Sequence, residues 1–71
     1  MKITAEDIED LFTYHAPKEG QPERYQAIRE AAKNLATVIV GNTPTSADQS
    51  AAIRHLREAV MTANASIALE Q

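Results

Sequence analysis

A small aromatic cluster near the N-terminus could hold a planar ligand. The chain has three aromatic residues, Phe12, Tyr14 and Tyr25, and His15 follows Tyr14 directly. Aromatic faces stack on nucleobases with little demand on sequence, and an imidazole can add a hydrogen bond. We therefore take Tyr14 and His15 as candidate ligand contacts. The alternative is that Phe12 and Tyr14 cover the open end of a helix pair, which we favour for Phe12 but not for Tyr14.

Two basic residues are spaced to meet a phosphate group. Arg29 and Lys33 are one helical turn apart on a predicted helix, so both could converge on a phosphate brought next to Tyr14. In the alternative, both are solvated and pair with Glu23 or Glu30. Spacing alone favours this alternative, because exposed charge pairs of this kind are common and contribute little.

A second polar stripe follows a later helix. Arg57, Met61, Asn64 and Ala68 recur at intervals of four, three and four residues, with Arg54 beside them. Asparagine is a poor helix former, so Asn64 is expected there for its hydrogen bonds. It could contact a base edge or a ribose, or it could bond to the backbone of a neighbouring subunit.

Signals for enzymatic chemistry are weak. His15 and His55 belong to different predicted elements, and the four acidic residues of the first helix form one acidic face, not a placed acid and base. The sequence has no metal-spaced histidine or cysteine pair, no glycine-rich phosphate loop and no nucleophile motif. We predict no catalytic residues, no metal and no cofactor.

Length and charge limit the possible partners. A chain of 71 residues is one domain (1–71), too short for a cleft walled by its own core, and without cysteine it has no disulfides to supplement that core. Self-association is then the remaining way to add buried apolar surface to this small core. A net charge of −3 argues against duplex DNA or RNA, whereas a few basic residues can still hold a small anion.

The expected location is the cytoplasm. The N-terminus has no apolar segment of signal-peptide length, and no apolar run is long enough to cross a membrane. The absence of cysteine fits a reducing compartment. We predict a soluble protein with no membrane partner.

The chain divides into three predicted helices, at about residues 4–12, 22–40 and 46–69, which gives an all-α fold. Thr4 can cap the first helix. The apolar residues of that helix, Ile8, Leu11 and Phe12, predict one buried face. Pro22 suits the start of the second helix, and Gly41 is predicted to end it. Ser46 or Thr45 can cap the third helix.

The long helices form a predicted antiparallel αα-hairpin. Apolar residues recur at alternating three- and four-residue intervals on both helices and define the seam between them. These seam residues are Tyr25, Ile28, Ala32, Leu35 and Ile39 on one helix and Ile53, Leu56, Val60, Ala63 and Ile67 on the other. Further apolar residues, mostly alanine, remain on the backs of both helices. They predict a homo-oligomer with ligands bound between subunits.

Three segments together resemble a known family. They are FTYHAP at residues 12–17, QPERYQAIREA at 21–31 and EAVMTANASIA at 58–68. The chain resembles small phage and prophage proteins with a shared helical-hairpin domain. That domain defines the anti-CBASS cyclic-nucleotide sponges and recurs in the anti-Thoeris sponges.

The resemblance implies a non-enzymatic, hexameric inhibitor of bacterial immunity in the host cytoplasm, which sequesters a cyclic oligonucleotide messenger. Cyclic dinucleotides such as cyclic GMP-AMP would bind between paired hairpins, through Tyr14, His15, Arg29 and Lys33. In the family, a tyrosine stacks on a base and a lysine fifteen residues later meets phosphate, which is the separation of Tyr14 and Arg29. Many members also bind cyclic trinucleotides at separate sites. The residues for that second site would be Arg54, Arg57 and Asn64.

Two other functions are compatible with the sequence. A helical protein-interaction module would dock its alanine stripes on a partner's helix, run as a monomer or dimer and carry no nucleotide. An enzyme that degrades the same messenger would return a linear product, whereas a sponge would return the cyclic nucleotide intact.

Overall fold

A computed structural model describes residues 2–70 and contains, within that range, three α-helices and no strand. Helix α1 spans Ala5–Phe12, α2 spans Gln21–Asn42 and α3 spans Ala47–Ala68. The long helices α2 and α3 pack against each other in antiparallel orientation. The predicted all-α class and the order of a short helix followed by an αα-hairpin are confirmed. None of the described helices is long and apolar enough to cross a membrane.

Helix α1 begins with a capping box. The Thr4 hydroxyl accepts a hydrogen bond from the Asp7 backbone N–H at 3.1 Å, and the Asp7 carboxylate accepts one from the Thr4 N–H at 2.8 Å. These bonds satisfy two amides that the helix itself leaves without partners. The predicted cap at Thr4 is confirmed. The helix ends at Phe12, because Thr13 adopts an extended conformation.

Helix α2 is longer than the sequence predicts. It begins one residue before Pro22 and continues through Gly41 to Asn42, so the prediction that Gly41 ends it is wrong. The reason lies in the last turn, where the side chains of Asn42 and Thr43 donate to the carbonyls of Val38 and Ile39, each at 2.7 Å. Because these side chains satisfy the exposed carbonyls, a left-handed glycine is not needed to end the helix.

The turn between the long helices is closed by side-chain hydrogen bonds. Ser46 caps α3, as predicted, by accepting from the Gln49 backbone N–H at 3.1 Å. The Gln49 side chain in turn donates to the Thr43 carbonyl at 3.2 Å and to its hydroxyl at 3.1 Å. The first turn of α3 is therefore tied to the C-terminal end of α2.

The hairpin is a single layer of two helices and encloses almost no core. Its overall dimensions are 44 × 31 × 16 Å, so the smallest is not much larger than one helix, about 10–12 Å with side chains. Ile67, at 5% exposure, is the one buried apolar residue among those described, and Leu35 of the predicted seam is 48% exposed. The accessible surface of 5,909 Å² exceeds by about 1,500 Å² the area expected for a compact protein of this mass.

Helix α1 does not pack on the hairpin helices. No Cα atom of α1 lies within 8 Å of a Cα atom in α2 or α3. Ile8, Leu11 and Phe12 are 52%, 54% and 84% exposed. The predictions that α1 buries an apolar face and that Phe12 closes the core are therefore wrong for the single chain. The physical reason is that Leu11 meets Ala65, Ala68 and Leu69 only across an open pocket, and no described helix packs closely against α1.

The open end of the hairpin is held by a buried glutamine. Gln21, at 3% exposure, donates from Nε2 to the Ile67 carbonyl at 3.0 Å and to the Glu70 carboxylate at 3.3 Å. Its Oε1 accepts from the Lys18 backbone N–H at 2.9 Å. One side chain thus joins the segment before α2 to the end of α3. Gly20, with φ of 82°, supplies the left-handed turn that precedes Gln21.

Charged groups complete this end of the hairpin. Arg24 donates to the Glu70 carboxylate, and the Lys18 ammonium donates to the Glu70 carbonyl at 2.9 Å. The Arg24 hydrogen bond is the main cause that lowers the pKa of Glu70 below its ordinary value of 4.5, and the Gln21 hydrogen bond adds to it. At the other end of the described chain, hydrogen bonding to the Thr4 backbone lowers the pKa of Asp7.

We expect Gln21→Ala to destabilise the fold by about 1–3 kcal/mol, because it removes the three hydrogen bonds of a buried side chain that join the segment before α2 to the end of α3. Urea unfolding at fixed protein concentration measures the change. The matched control is Gln26→Ala, since Gln26 is exposed and bonds only to Glu30, at 3.1 Å within α2. Equal losses for the two variants would contradict the role assigned to Gln21.

Stability should also decrease in acid. Because the folded-state pKa values of Asp7 and Glu70 are lowered, their contribution is complete above the ordinary values of 3.8 and 4.5. It is lost as the pH falls below those values through the folded-state pKa values. Thermal melts between pH 7 and pH 2 measure this loss. Glu70→Gln should make the melting temperature less dependent on pH in this acid range. A pH profile identical to that of the unmodified chain would contradict the role assigned to Glu70.

Candidate functional site

Tyr14 and His15 lie against the last turns of α3. The two residues belong to the irregular segment after α1, and Tyr14 is 83% exposed. They line a pocket together with Ala65, Ala68 and Leu69 near the end of α3. The phenol ring is therefore available for stacking on a ligand. Asp10, Leu11 and Thr13 also line the pocket, so its wall is not wholly apolar.

The His15 ring has a defined orientation. Its Nε2 lies 2.7 Å from the backbone carbonyl oxygen of Asp10. A carbonyl can only accept, so Nε2 carries the proton in this contact. Nδ1 makes no hydrogen bond with another described residue, and it can therefore accept one from a ligand when the ring is neutral.

A groove between α2 and α3 carries one basic side chain from each helix. Lys33 of α2 and Arg57 of α3 line it. The other lining residues are apolar: Ala32, Ala36, Ile53, Leu56, Val60 and Met61. Its volume of about 320 Å³ is at the lower end of the range for ligand pockets. Lys33 and Arg57 form no ion pair with another described residue, so both charges face solvent.

The groove and the Tyr14 pocket lie on the same side of the hairpin. Met61 of the groove precedes Ala65 of the Tyr14 pocket by four residues, so one face of α3 runs continuously between them. Arg57 and Ala65 are two turns apart, about 12 Å along the axis. We call this side, with Arg29, Lys33, Arg57 and the Tyr14 segment, the cationic face.

Arg29 belongs to the cationic face by its helical register. It precedes Lys33 by four residues on α2, which gives both residues the same orientation around the helix. Because α2 starts where α3 ends, Arg29 is one turn closer than Lys33 to the Tyr14 end. Both side chains are exposed, and neither pairs with Glu23 or Glu30.

The opposite side of the hairpin has a different character. Its shallow groove is lined by apolar residues alone: Ile28, Ala31, Ala32, Leu35, Leu56, Ala59, Val60 and Ala63. We call this side the alanine face. Small side chains allow close approach of another helix, whereas the absence of charged lining residues gives this face nothing to hold an anion.

The second predicted set of residues is not gathered in one pocket of the single chain. Arg57 lines the groove with Lys33, whereas Arg54 is exposed and does not line that groove. Asn64 is half-buried, and its Oδ1 is buried with no hydrogen-bond partner among the described residues. An orphaned amide oxygen of this kind can accept a hydrogen bond from an added group.

Lys33 and Arg57 line the same groove, although the sequence assigned them to different ligand sets. A signal was present in the chain. Lys33 and Arg57 are each twelve residues from Thr45, in the turn between the helices. In an antiparallel hairpin, residues equally far from the turn lie at the same level, so the register alone could have placed the two cations across one groove.

The remaining titratable residues have other surroundings. His55 lies 3.7 Å from the Glu58 carboxylate on the exposed surface of α3, away from His15. Within residues 2–70, no three or more histidine, aspartate or glutamate side chains are grouped to hold a metal ion. The side of the hairpin called the cationic face carries an exposed ring, a histidine nitrogen that can accept a hydrogen bond and a row of cations.

Comparison with known proteins identifies a family for this chain. The model of the family described as Acb2/Tad1, hairpin domain, matches residues 4–68, a range that includes all three helices. No curated protein and no solved structure matches the chain.

Proposed function

Since the chain belongs to the Acb2/Tad1 hairpin-domain family, we propose that it is a non-enzymatic sponge for cyclic oligonucleotide second messengers. The family points to a sponge-type function against antiphage defence. The finer proposal is that the protein binds cyclic dinucleotides such as cyclic GMP-AMP and thereby blocks CBASS-type immunity. It would do so in the host bacterial cytoplasm, encoded by a phage or prophage.

The observation that carries this proposal is the exposure of Tyr14 on the same side of the hairpin as the basic residues. A ring that is 83% exposed in a single chain has most of both faces free for a base. In this proposal Tyr14 stacks on one base, and His15 accepts a hydrogen bond through Nδ1. Stacking of this kind contributes about 1–3 kcal/mol per base.

In this proposal Arg29 binds a phosphate of the ligand, and Lys33 lies one turn further along the groove. A cyclic dinucleotide carries two phosphates, and a guanidinium can bind a phosphate through two parallel hydrogen bonds. Neither basic residue is neutralised by another described side chain, so binding would not have to break an ion pair first. Local charge of this kind can hold a small anion although the net charge of the chain is −3.

We propose that the protein assembles as a homo-oligomer, and the family resemblance suggests a hexamer. Support comes from the missing core, because a single layer of two helices leaves Leu35, Val38, Val40 and Met61 about half exposed. The alanine face is the natural surface for contact between hairpins, since small residues let helices approach closely. Assembly would leave the cationic face to line ligand pockets between subunits.

A second class of ligand is proposed for Arg54, Arg57 and Asn64. These residues would bind cyclic trinucleotides at a site completed by another subunit. The unpartnered Oδ1 of Asn64 supports a role in hydrogen bonding to an added group. Arg57 would then serve this site from the edge of the cationic face.

We expect Tyr14→Ala and Arg29→Glu each to weaken binding of cyclic GMP-AMP measured by calorimetry. Loss of the stacked base should cost about 1–3 kcal/mol, which is roughly five- to 150-fold in affinity. A matched control tests the role of the ring. Tyr14→Phe keeps the ring and should retain most of the affinity. Unchanged affinity in folded Tyr14→Ala and Arg29→Glu proteins would refute this site assignment.

Sequestration should return the ligand chemically intact. When the protein is incubated with cyclic GMP-AMP and then denatured by heat, mass spectrometry of the supernatant should recover the cyclic nucleotide, because binding breaks no bond. Recovery of linear product would indicate a degrading enzyme instead. A monomer or dimer that retains no nucleotide would favour the helical interaction module.

A further inference from the structure

The Tyr14 pocket offers hydrogen-bond acceptors and almost no donors. Besides Tyr14, three of its lining residues have polar side chains: Asp10, Thr13 and His15. Its other lining residues are apolar: Leu11, Ala65, Ala68 and Leu69. Among the described residues, no lysine, arginine, asparagine or glutamine lines this pocket. Its side chains therefore differ in kind from those of the groove that carries the cations.

The contacts that these side chains already make decide their remaining hydrogen-bonding capacity. The Thr13 hydroxyl donates its hydrogen to the Glu9 carboxylate at 3.1 Å, so its oxygen can only accept from a ligand. The His15 ring donates from Nε2 to the Asp10 carbonyl at 2.7 Å, which leaves Nδ1 as an acceptor in the neutral ring. The Tyr14 hydroxyl is the remaining side-chain donor, and its ring is the one assigned to stacking.

Asp10 supplies the strongest acceptor of the pocket. Its carboxylate makes no hydrogen bond and no ion pair with another described residue. An ionised carboxylate only accepts, and its two oxygens can take two parallel N–H groups, as they do from a guanidinium. The hydrogen bond from His15 to the Asp10 backbone also keeps the imidazole next to this residue.

A pocket of acceptors is complementary to a base edge that carries adjacent donors. Guanine has N1–H and the N2 amino group side by side, whereas adenine, cytosine and uracil each place an acceptor next to their donor group. The pocket volume of about 280 Å³ is just below the range for whole drug-sized ligands, which suits one base better than a complete dinucleotide. A phosphate is disfavoured here because the carboxylate repels it.

We propose that Asp10 selects guanine as the base that stacks on Tyr14. The two carboxylate oxygens accept from N1–H and from the N2 amino group, and Nδ1 of His15 accepts from a further donor of the same nucleotide. The phosphates then lie toward Arg29, away from the carboxylate. This inference rests on the proposed function, because it names the base that the proposed site prefers.

Calorimetry with symmetric cyclic dinucleotides tests the selection, because these ligands differ only in their bases. We expect the unmodified chain to bind cyclic di-GMP about tenfold or more tighter than cyclic di-AMP, as a paired set of two hydrogen bonds to a base predicts. Cyclic di-IMP keeps N1–H but lacks the N2 amino group, so its affinity should lie between the two.

Asp10→Asn should change the preference and not only the affinity. An amide presents one donor and one acceptor, which match the donor and acceptor edge of adenine but not the two donors of guanine. The variant should therefore bind cyclic di-GMP more weakly and cyclic di-AMP at least as well as the unmodified chain. A purely structural role of Asp10 would weaken both ligands equally.

Two matched variants separate base selection from damage to the fold. Asp10→Glu keeps a carboxylate and should keep the preference for guanine. Glu6→Gln removes the same charge from an α1 residue outside the pocket and should leave both affinities unchanged. Circular dichroism reports whether each variant keeps its helix content. The comparison of cyclic di-GMP with cyclic di-IMP needs no variant, so it decides the outcome even if Asp10→Asn does not fold.

The outcomes distinguish this inference from the proposed function. Equal affinity of the unmodified chain for the three ligands, or an equal loss for cyclic di-GMP and cyclic di-AMP in Asp10→Asn, overturns selection by Asp10 and leaves cyclic-dinucleotide binding intact. If none of the three ligands binds, the proposed function fails, and base selection fails with it.

Discussion

Two helices packed side by side form one layer, and one layer cannot bury its own faces. This constraint governs the whole molecule. Every predicted seam residue except Ile67 stays partly exposed to solvent. Ile67 is buried at the end where Gln21 and the segment before α2 close over the hairpin. Much of the apolar area that folding normally removes from water therefore remains exposed in the single chain.

The two faces of this layer are suited to different contacts. The alanine face has small apolar side chains and no charge in its groove, which suits close packing of helices. The cationic face combines apolar lining with Lys33, Arg57 and, one turn away, Arg29. Anions and acidic segments are attracted to the second face only. The two sides of this thin helical layer therefore differ in charge, because basic side chains line the groove on one side only.

Features set by local chemistry could be predicted from the sequence, and features set by distant contacts could not. Thr4 and Ser46 cap their helices as predicted, because a cap depends on residues within one turn. The end of α2 is an exception, since a local cause, the side chains that satisfy its last carbonyls, extends the helix past Gly41. The exposure of Phe12 depends on what packs opposite it, about which helical periodicity says nothing. Lys33 and Arg57 are far apart in sequence, and they could be placed in one groove only by applying the hairpin register.

The turn closed by Gln49 also bears on how the protein folds. Because that turn is short, α3 can find α2 through a small loop, and most native contacts of the single chain join residues near in sequence. Chains with such local topology fold quickly, often within microseconds to milliseconds. Association between copies depends on concentration and is slower than folding of the single chain. For the proposed homo-oligomer, the slow step would then be bimolecular assembly, and its half-time would shorten as expression rises.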